Sequence, residues 1–153
     1  MNYCSIIIIL ASVFLYSTFG HAQKDSFFLA VSIIEDFGAE EDDLLTNLEQ
    51  NVKDTDKDYL RGVLSSSKKE KVDAVARLKN IRWLESEPNR FSKRVFNIVN
   101  TYTIKQIETL KELSGRLKAE NKKEITMIIE RAVITRDRSL KKLADAQKEE
   151  KVL

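Results

Sequence analysis

Apolar residues recur along this chain with the period of an amphipathic helix, most clearly between residues 91 and 117. One stripe follows the spacing i, i+4, i+7, i+8 and i+11, and it consists of Phe91, Val95, Ile98, Val99 and Tyr102. A second stripe consists of Ile104, Ile107, Leu110, Leu113 and Leu117. Between them, Thr103 and Gln106 have the spacing of a capping box, which opens a new helix. The pattern predicts two helices that meet at a polar corner, residues 100–103.

The other apolar stripes are also separated by polar or helix-breaking residues. A helix over 26–37 is predicted to end at Gly38, and another covers 40–53. A short helix follows to Leu64, then a polar break at 65–67 and a helix over 68–84, capped by Ser67 and Glu70. Pro88 restarts the chain, and residues 119–121 either form a bend or continue the helix. No segment has strand alternation bounded by turns, so we predict an all-α, compact bundle of about six amphipathic helices.

Residues 1–22 have the features of a secretory signal peptide. An apolar run over 6–15 precedes Gly20-His21-Ala22, a small-x-small cleavage sequence. Cleavage would leave 23–153 as a single helical domain that begins at Gln23 and has a fraying polar C-terminal tail. The uncharged stretch 5–19 is shorter than the roughly 20 residues of a spanning helix, so no stable membrane insertion is predicted. The expected location is secreted and extracellular.

The chain has one cysteine, Cys4, and one histidine, His21, and both fall within the predicted signal peptide. The processed chain would therefore lack disulfides, thiol nucleophiles, imidazole bases and Cys/His metal sites. Asp54, Asp56 and Asp58 have the spacing of EF-hand ligands, but the required glycine and glutamate are absent at the following loop positions, which argues against calcium. We predict a non-enzymatic protein with no catalytic residue, no metal and no cofactor.

The chain contains 26 basic and 24 acidic residues with interleaved signs, so its charge gives no reason to expect nucleic acid as a partner. Basic residues are dense over 131–142, where they form either a solvated helix face or a polar patch for anionic partners.

Two classes of binding function remain. In the first, the protein carries a small amphiphile such as a fatty acid in an apolar cavity between helices. The candidate lining is Phe27, Phe28, Ile33, Trp83, Phe91, Phe96 and Tyr102. In the second, a helical surface binds an extracellular protein partner such as a host immune factor. A third, structural alternative is self-association through the stripe that begins at Ile125. Phe27-Phe28 and Trp83-Leu84 each point in two directions on a helix, so these alternatives stay open.

The residues Phe96-x-Ile98-Val99-Asn100-x-x-Thr103-x-x-Gln106-Ile107-x-x-Leu110 carry a family resemblance. This stretch resembles a helix corner of the nematode SXP/RAL secreted antigens. In that pattern Tyr102 stands where leucine is usual, and Gln106 stands where glutamate is usual. The resemblance implies a small, all-helical, antigen-like protein with a signal peptide that binds small amphiphiles, and it implies no catalytic residue.

Overall fold

The computed structural model describes the chain over residues 3–52, 54–84, 87–117 and 119–149. Side chains are described from residue 25 onward, apart from those at 51, 54, 55, 83, 84 and 119–121. Within these ranges the chain forms four helices and no strand: α1 (Tyr3–Asn51), α2 (Asp54–Leu84), α3 (Pro88–Arg116) and α4 (Ala119–Glu149). The predicted all-α class is confirmed, whereas the predicted number of about six helices is wrong.

The four helices form an up-down-up-down bundle. Each connection is only two or three residues long, which makes consecutive helices antiparallel neighbours. Helices α1 and α3 contact each other along the centre, and each also packs against both α2 and α4. Helices α2 and α4 therefore lie on opposite sides of the α1–α3 pair.

Helix α3 runs straight through the predicted corner at 100–103. Its buried residues are three or four positions apart along the whole helix, which keeps them on one face. They include Val99, Tyr102, Gln106 and Leu110. The Thr103 hydroxyl, predicted to cap a new helix, instead donates to the carbonyl oxygen of Val99 at 3.0 Å, within the same helix.

The predicted breaks at Gly38 and at 65–67 are also wrong, because a helix continues through each of them. Gly38 lies inside α1, and no glycine in the described chain has positive φ. Ser67 lies inside α2 and is buried on the same face as Val63 and Ala74. The helix predicted to stop at Leu64 therefore continues to the end of α2.

Three of the predicted boundaries do exist. Helix α1 ends at Asn51 and α2 begins at Asp54, close to the boundary predicted after residue 53. Helix α3 begins at Pro88, after Glu87 in an extended conformation, as expected for a residue that precedes proline. The chain also bends after α3, but at Leu117, just before 119–121. Helix α4 extends to Glu149, and the Gln147 amide donates to the Ser92 carbonyl oxygen at 2.9 Å. Residues 150–153 of the predicted fraying tail lie outside the described residues, so fraying stays a prediction.

The core consists of two apolar clusters at opposite ends of the bundle. The first cluster is Phe27, Ala30, Ile33, Ile34, Phe37, Ala74, Leu78, Phe91, Val95, Val99, Tyr102, Ile107, Leu140 and Leu143. The second cluster is Leu45, Leu48, Val52, Leu60, Val63, Leu110, Leu113, Leu117, Ile125 and Ile128. Between them, α1, α2 and α3 each bury a polar side chain on the core face: Glu41, Ser67 and Gln106. We call these three residues the polar layer.

Helix α1 is the longest of the four, with 49 residues against 29 in α3. The predicted signal peptide, residues 1–22, lies outside the range in which side chains are described, and it stays a prediction. Across the described residues, none of the helices combines the length and the apolar character needed to span a membrane.

Candidate functional site

Five of the seven residues predicted to line a ligand cavity pack in or against the first apolar cluster. Phe27, Ile33, Phe91 and Tyr102 are buried in the first cluster. Phe96 is half-buried against that cluster, and the side chain of Trp83 lies outside the described residues. Their packing accounts for their apolar character as core residues. A role in ligand binding stays a prediction.

Phe28 differs from the rest of this set because its side chain is 49 % exposed. Its ring packs edge-on against Phe27, with the ring centroids 5.5 Å apart. The guanidinium carbon of Arg82 on α2 lies 5.0 Å from the Phe27 centroid and 5.6 Å from the Phe28 centroid. This cation–π contact joins the Phe27–Phe28 pair of α1 to the end of α2.

A surface groove of about 480 Å³ runs between α1 and the C-terminal half of α4. Leu29 of α1 and Ala146 of α4 supply apolar surface to it. Its polar lining consists of Arg138, Lys141, Lys142, Asp145 and Glu149. The three cations lie at i, i+3 and i+4, which places them on one face of α4. The basic segment noted in the sequence therefore borders a groove, which the sequence pattern did not predict.

A much smaller space of about 10 Å³ lies between α1, α3 and α4. Its lining includes Glu40, Glu41, Leu110, Ile128 and Arg131. This volume is about the minimum that a single water molecule needs. It is far too small for an aliphatic ligand.

The polar layer beside this space is almost inaccessible to solvent. Glu41 is 3 % exposed, Ser67 2 % and Gln106 1 %. In the amide orientation that satisfies its neighbours, the side-chain nitrogen of Gln106 lies 3.2 Å from both Glu41 carboxyl oxygens and 3.3 Å from Ser67 Oγ. Its two N–H groups can donate to two of these three acceptors at a time. Burial raises the pKa of Glu41 from 4.5 to about 7, although its hydrogen bond with Ser67 opposes this shift.

The charged groups around the layer form ion pairs between helices. Lys71 Nζ of α2 lies 3.1 Å from Asp42 Oδ2 of α1. Arg131 Nε of α4 lies 2.5 Å from Glu40 Oε1 of α1. Three consecutive carboxyl groups of α1, at residues 40–42, therefore share this region with two cations.

Tyr102 completes the neighbourhood from the side of α3. Burial, together with the nearby carboxyl groups of Glu41 and Asp42, raises the pKa of its hydroxyl above the ordinary value. A Cβ atom at Gly38 would come within 2.7 Å of this hydroxyl and 2.5 Å of Lys71 Cδ. The absence of a side chain at Gly38 therefore lets Tyr102 and Lys71 pack directly on the backbone of α1.

Sequence reasoning assigned Ser67 and Gln106 to helix starts and did not single out Glu41. The signal that would have found them is their place on the apolar stripes, three or four residues from buried neighbours on either side.

Comparison with protein-family models, curated proteins and solved structures finds no match to this chain. The resemblance of Phe96–Leu110 to the SXP/RAL antigens therefore stays a prediction, and the segment that carries it lies inside α3.

Proposed function

We propose that this chain is a secreted, non-enzymatic binding protein and that the groove between α1 and α4 holds an anionic amphiphile such as a fatty acid. The observation that carries this proposal is the combination of apolar surface at Leu29 and Ala146 with three cations along one wall. The groove volume of about 480 Å³ lies within the range of small-molecule sites, roughly 300–1,000 Å³.

Among the spaces lined by described side chains, the surface groove is far larger than the space inside the bundle. Phe27, Ile33, Phe91 and Tyr102, four of the residues predicted to line a cavity, pack in the core. The small space beside Glu41 has room for about one water. In the groove, a carboxylate would receive charge-assisted hydrogen bonds from Arg138, Lys141 or Lys142, while an aliphatic chain would cover Leu29.

Displacement of a fluorescent fatty acid by oleate tests this proposal. We expect saturable micromolar binding to purified protein expressed from the full-length chain. Replacing Lys141 and Lys142 with glutamate should weaken binding by about tenfold or more, because the carboxylate would then face like charge. The matched control is Lys122→Glu with Lys123→Glu, which makes the same charge change at exposed positions near the start of α4.

Three results would contradict the groove proposal: no displaceable binding by the folded protein, equal weakening in both double variants, or equal binding of oleate and oleyl alcohol. The last comparison isolates the carboxylate, since the two ligands share their aliphatic chain.

Binding to an extracellular protein is the second candidate function. It is favoured by Met127, 60 % exposed, and Ile134, 52 % exposed, which lie seven residues apart on the outer face of α4. Saturable, protease-sensitive binding of labelled protein to immune cells would support it. That binding should be lost when Met127 and Ile134 are replaced by serine. It should survive Val72→Ser, which changes an exposed apolar residue of α2. Self-association, the structural alternative, would appear in a sedimentation experiment as a molecular mass that rises with protein concentration.

A further inference from the structure

We propose that the polar layer makes closure of the bundle depend on a proton. The four helices close around a protonated Glu41, and loss of that proton loosens α1 from α2 and α3. This inference concerns the middle of the bundle and is independent of the ligand proposed for the groove.

The charge balance around the layer is the first argument. Glu40, Glu41 and Asp42 are consecutive on α1, while the ion pairs described here use Arg131 for Glu40 and Lys71 for Asp42. Glu41 has Ser67 and Gln106 as its hydrogen-bond partners, and both of these side chains are neutral. An ionised Glu41 would therefore add a negative charge at a position that is 3 % exposed, where the cation that attracts it, Lys71, is already paired with Asp42.

The surrounding charged and titratable groups can be assigned helix by helix. Helix α1 contributes Glu40 and Asp42, and α2 contributes Glu70 and Lys71. Helix α3 contributes Tyr102 and Lys105, and α4 contributes Arg131. Lys105 pairs with Glu70, as Lys71 does with Asp42 and Arg131 with Glu40. Burial raises the pKa of Tyr102, which keeps its hydroxyl neutral. Because burial raises the pKa of Glu41 to about 7, this carboxyl group can change charge near neutral pH.

The layer can satisfy its hydrogen bonds in both protonation states. The Ser67 hydroxyl can donate to a carboxylate or accept from a carboxylic acid. Gln106 approaches both carboxyl oxygens, so it can donate to whichever oxygen carries no proton. The protonated and ionised forms of Glu41 therefore differ mainly in buried charge. Because a buried charge disfavours close packing, the proton controls whether this interface stays closed.

A proton can also reach Glu41 without unfolding of the chain. The water-sized space of about 10 Å³ is lined by Glu41 together with Glu40 and Arg131. The Arg131 side chain is 67 % exposed, which places this space close to the surface.

The direction of the pH dependence follows from the environment of Glu41. Burial raises the pKa of Glu41 from 4.5 to about 7 in the folded bundle. Between these values the folded chain holds a proton that the unfolded chain releases, so stability falls as the pH rises from about 4.5 to about 7 and levels off above that. The equilibrium constant for unfolding should increase by roughly one to two orders of magnitude between about pH 5 and pH 8 through this group alone.

Urea unfolding of the full chain, followed by circular dichroism from about pH 5 to pH 8, tests the proposal. Glu41→Gln retains the shape of the side chain without its charge and should abolish this pH-dependent component of the unfolding equilibrium. The matched control, Glu35→Gln, changes an exposed glutamate of α1 and should retain the wild-type dependence. Hydrogen exchange at about pH 8 should show faster opening around residues 37–45 in the wild type than in the Glu41→Gln variant.

A carboxyl-carbon NMR titration of the wild-type chain decides the matter independently of whether the variant folds. A Glu41 midpoint near 7 supports the proposal, whereas a midpoint near 4.5 overturns it. The same pH dependence in wild type and Glu41→Gln would also overturn it.

Discussion

At the scale of single residues, Gly38 marks a very close approach of side chains to the α1 backbone. Tyr102 from α3 and Lys71 from α2 both occupy the space that a Cβ atom would need. Gly62, on an exposed face of α2, has no such neighbour within 4 Å. Both glycines lie inside helices, where glycine is destabilising relative to alanine. Only their tertiary contacts therefore distinguish them.

Gly38→Ala and Gly62→Ala should therefore differ in their effect on stability. Each gains about 1 kcal/mol of helix propensity. At Gly38 this gain is opposed by overpacking against Tyr102 and Lys71, which typically costs about 1–3 kcal/mol. We expect urea unfolding to show that Gly62→Ala is more stable than the wild type. The Gly38→Ala variant should be less stable than the Gly62→Ala variant by about 1–3 kcal/mol. Equal stabilisation at both positions would show that the close approach does not constrain residue 38.

At the scale of helices, a polar residue on an apolar stripe has two possible meanings in a sequence. It can end one helix and cap the next, or it can continue the same helix and find its partner on another. Ser67 and Gln106 follow the second course, because they meet each other and Glu41 between the two apolar clusters. Local spacing cannot separate these cases, since a serine followed three residues later by glutamate satisfies both.

Proline substitution at Ser66 distinguishes a continuous α2 from a corner. Ser66 is exposed in the middle of α2, so a proline there would remove a helical hydrogen bond and clash with the preceding turn. We expect Ser66→Pro to cost about 3 kcal/mol or more in unfolding free energy and to reduce helical circular dichroism. Ser66→Ala, the control, should be neutral or slightly stabilising. A proline tolerated at this position would favour the corner originally predicted.

At the scale of the whole molecule, the bundle has two apolar clusters with a polar layer between them. Its surface features are the α1–α4 groove and the exposed apolar residues of α4, both of which depend on how the helices are placed. The predicted cleavage would also bring the helices to similar lengths. It would leave 23–51 of α1, a segment as long as the 29-residue α3.

Expression of the full-length chain in eukaryotic cells tests the proposed secretion. We expect the protein in the medium to begin at Gln23, as read by N-terminal sequencing and intact mass. Replacing Ala22 with arginine should block cleavage, because the position before the cut requires a small residue. Cell-retained protein that still carries residues 1–22 in the wild type would contradict secretion.

The sequence by itself determined the helical class, because amphipathic periodicity is a local property that survives without knowledge of neighbours. It also identified most of the core of α3, from Phe91 to Leu113, and it established that cysteine and histidine occur only before residue 23. Only the tertiary structure decided that Glu41, Ser67 and Gln106 meet in one layer and that Leu29 and Lys141 border one groove. The physical reason is that a buried polar group is stabilised by partners on other helices, and those pairings are set by packing.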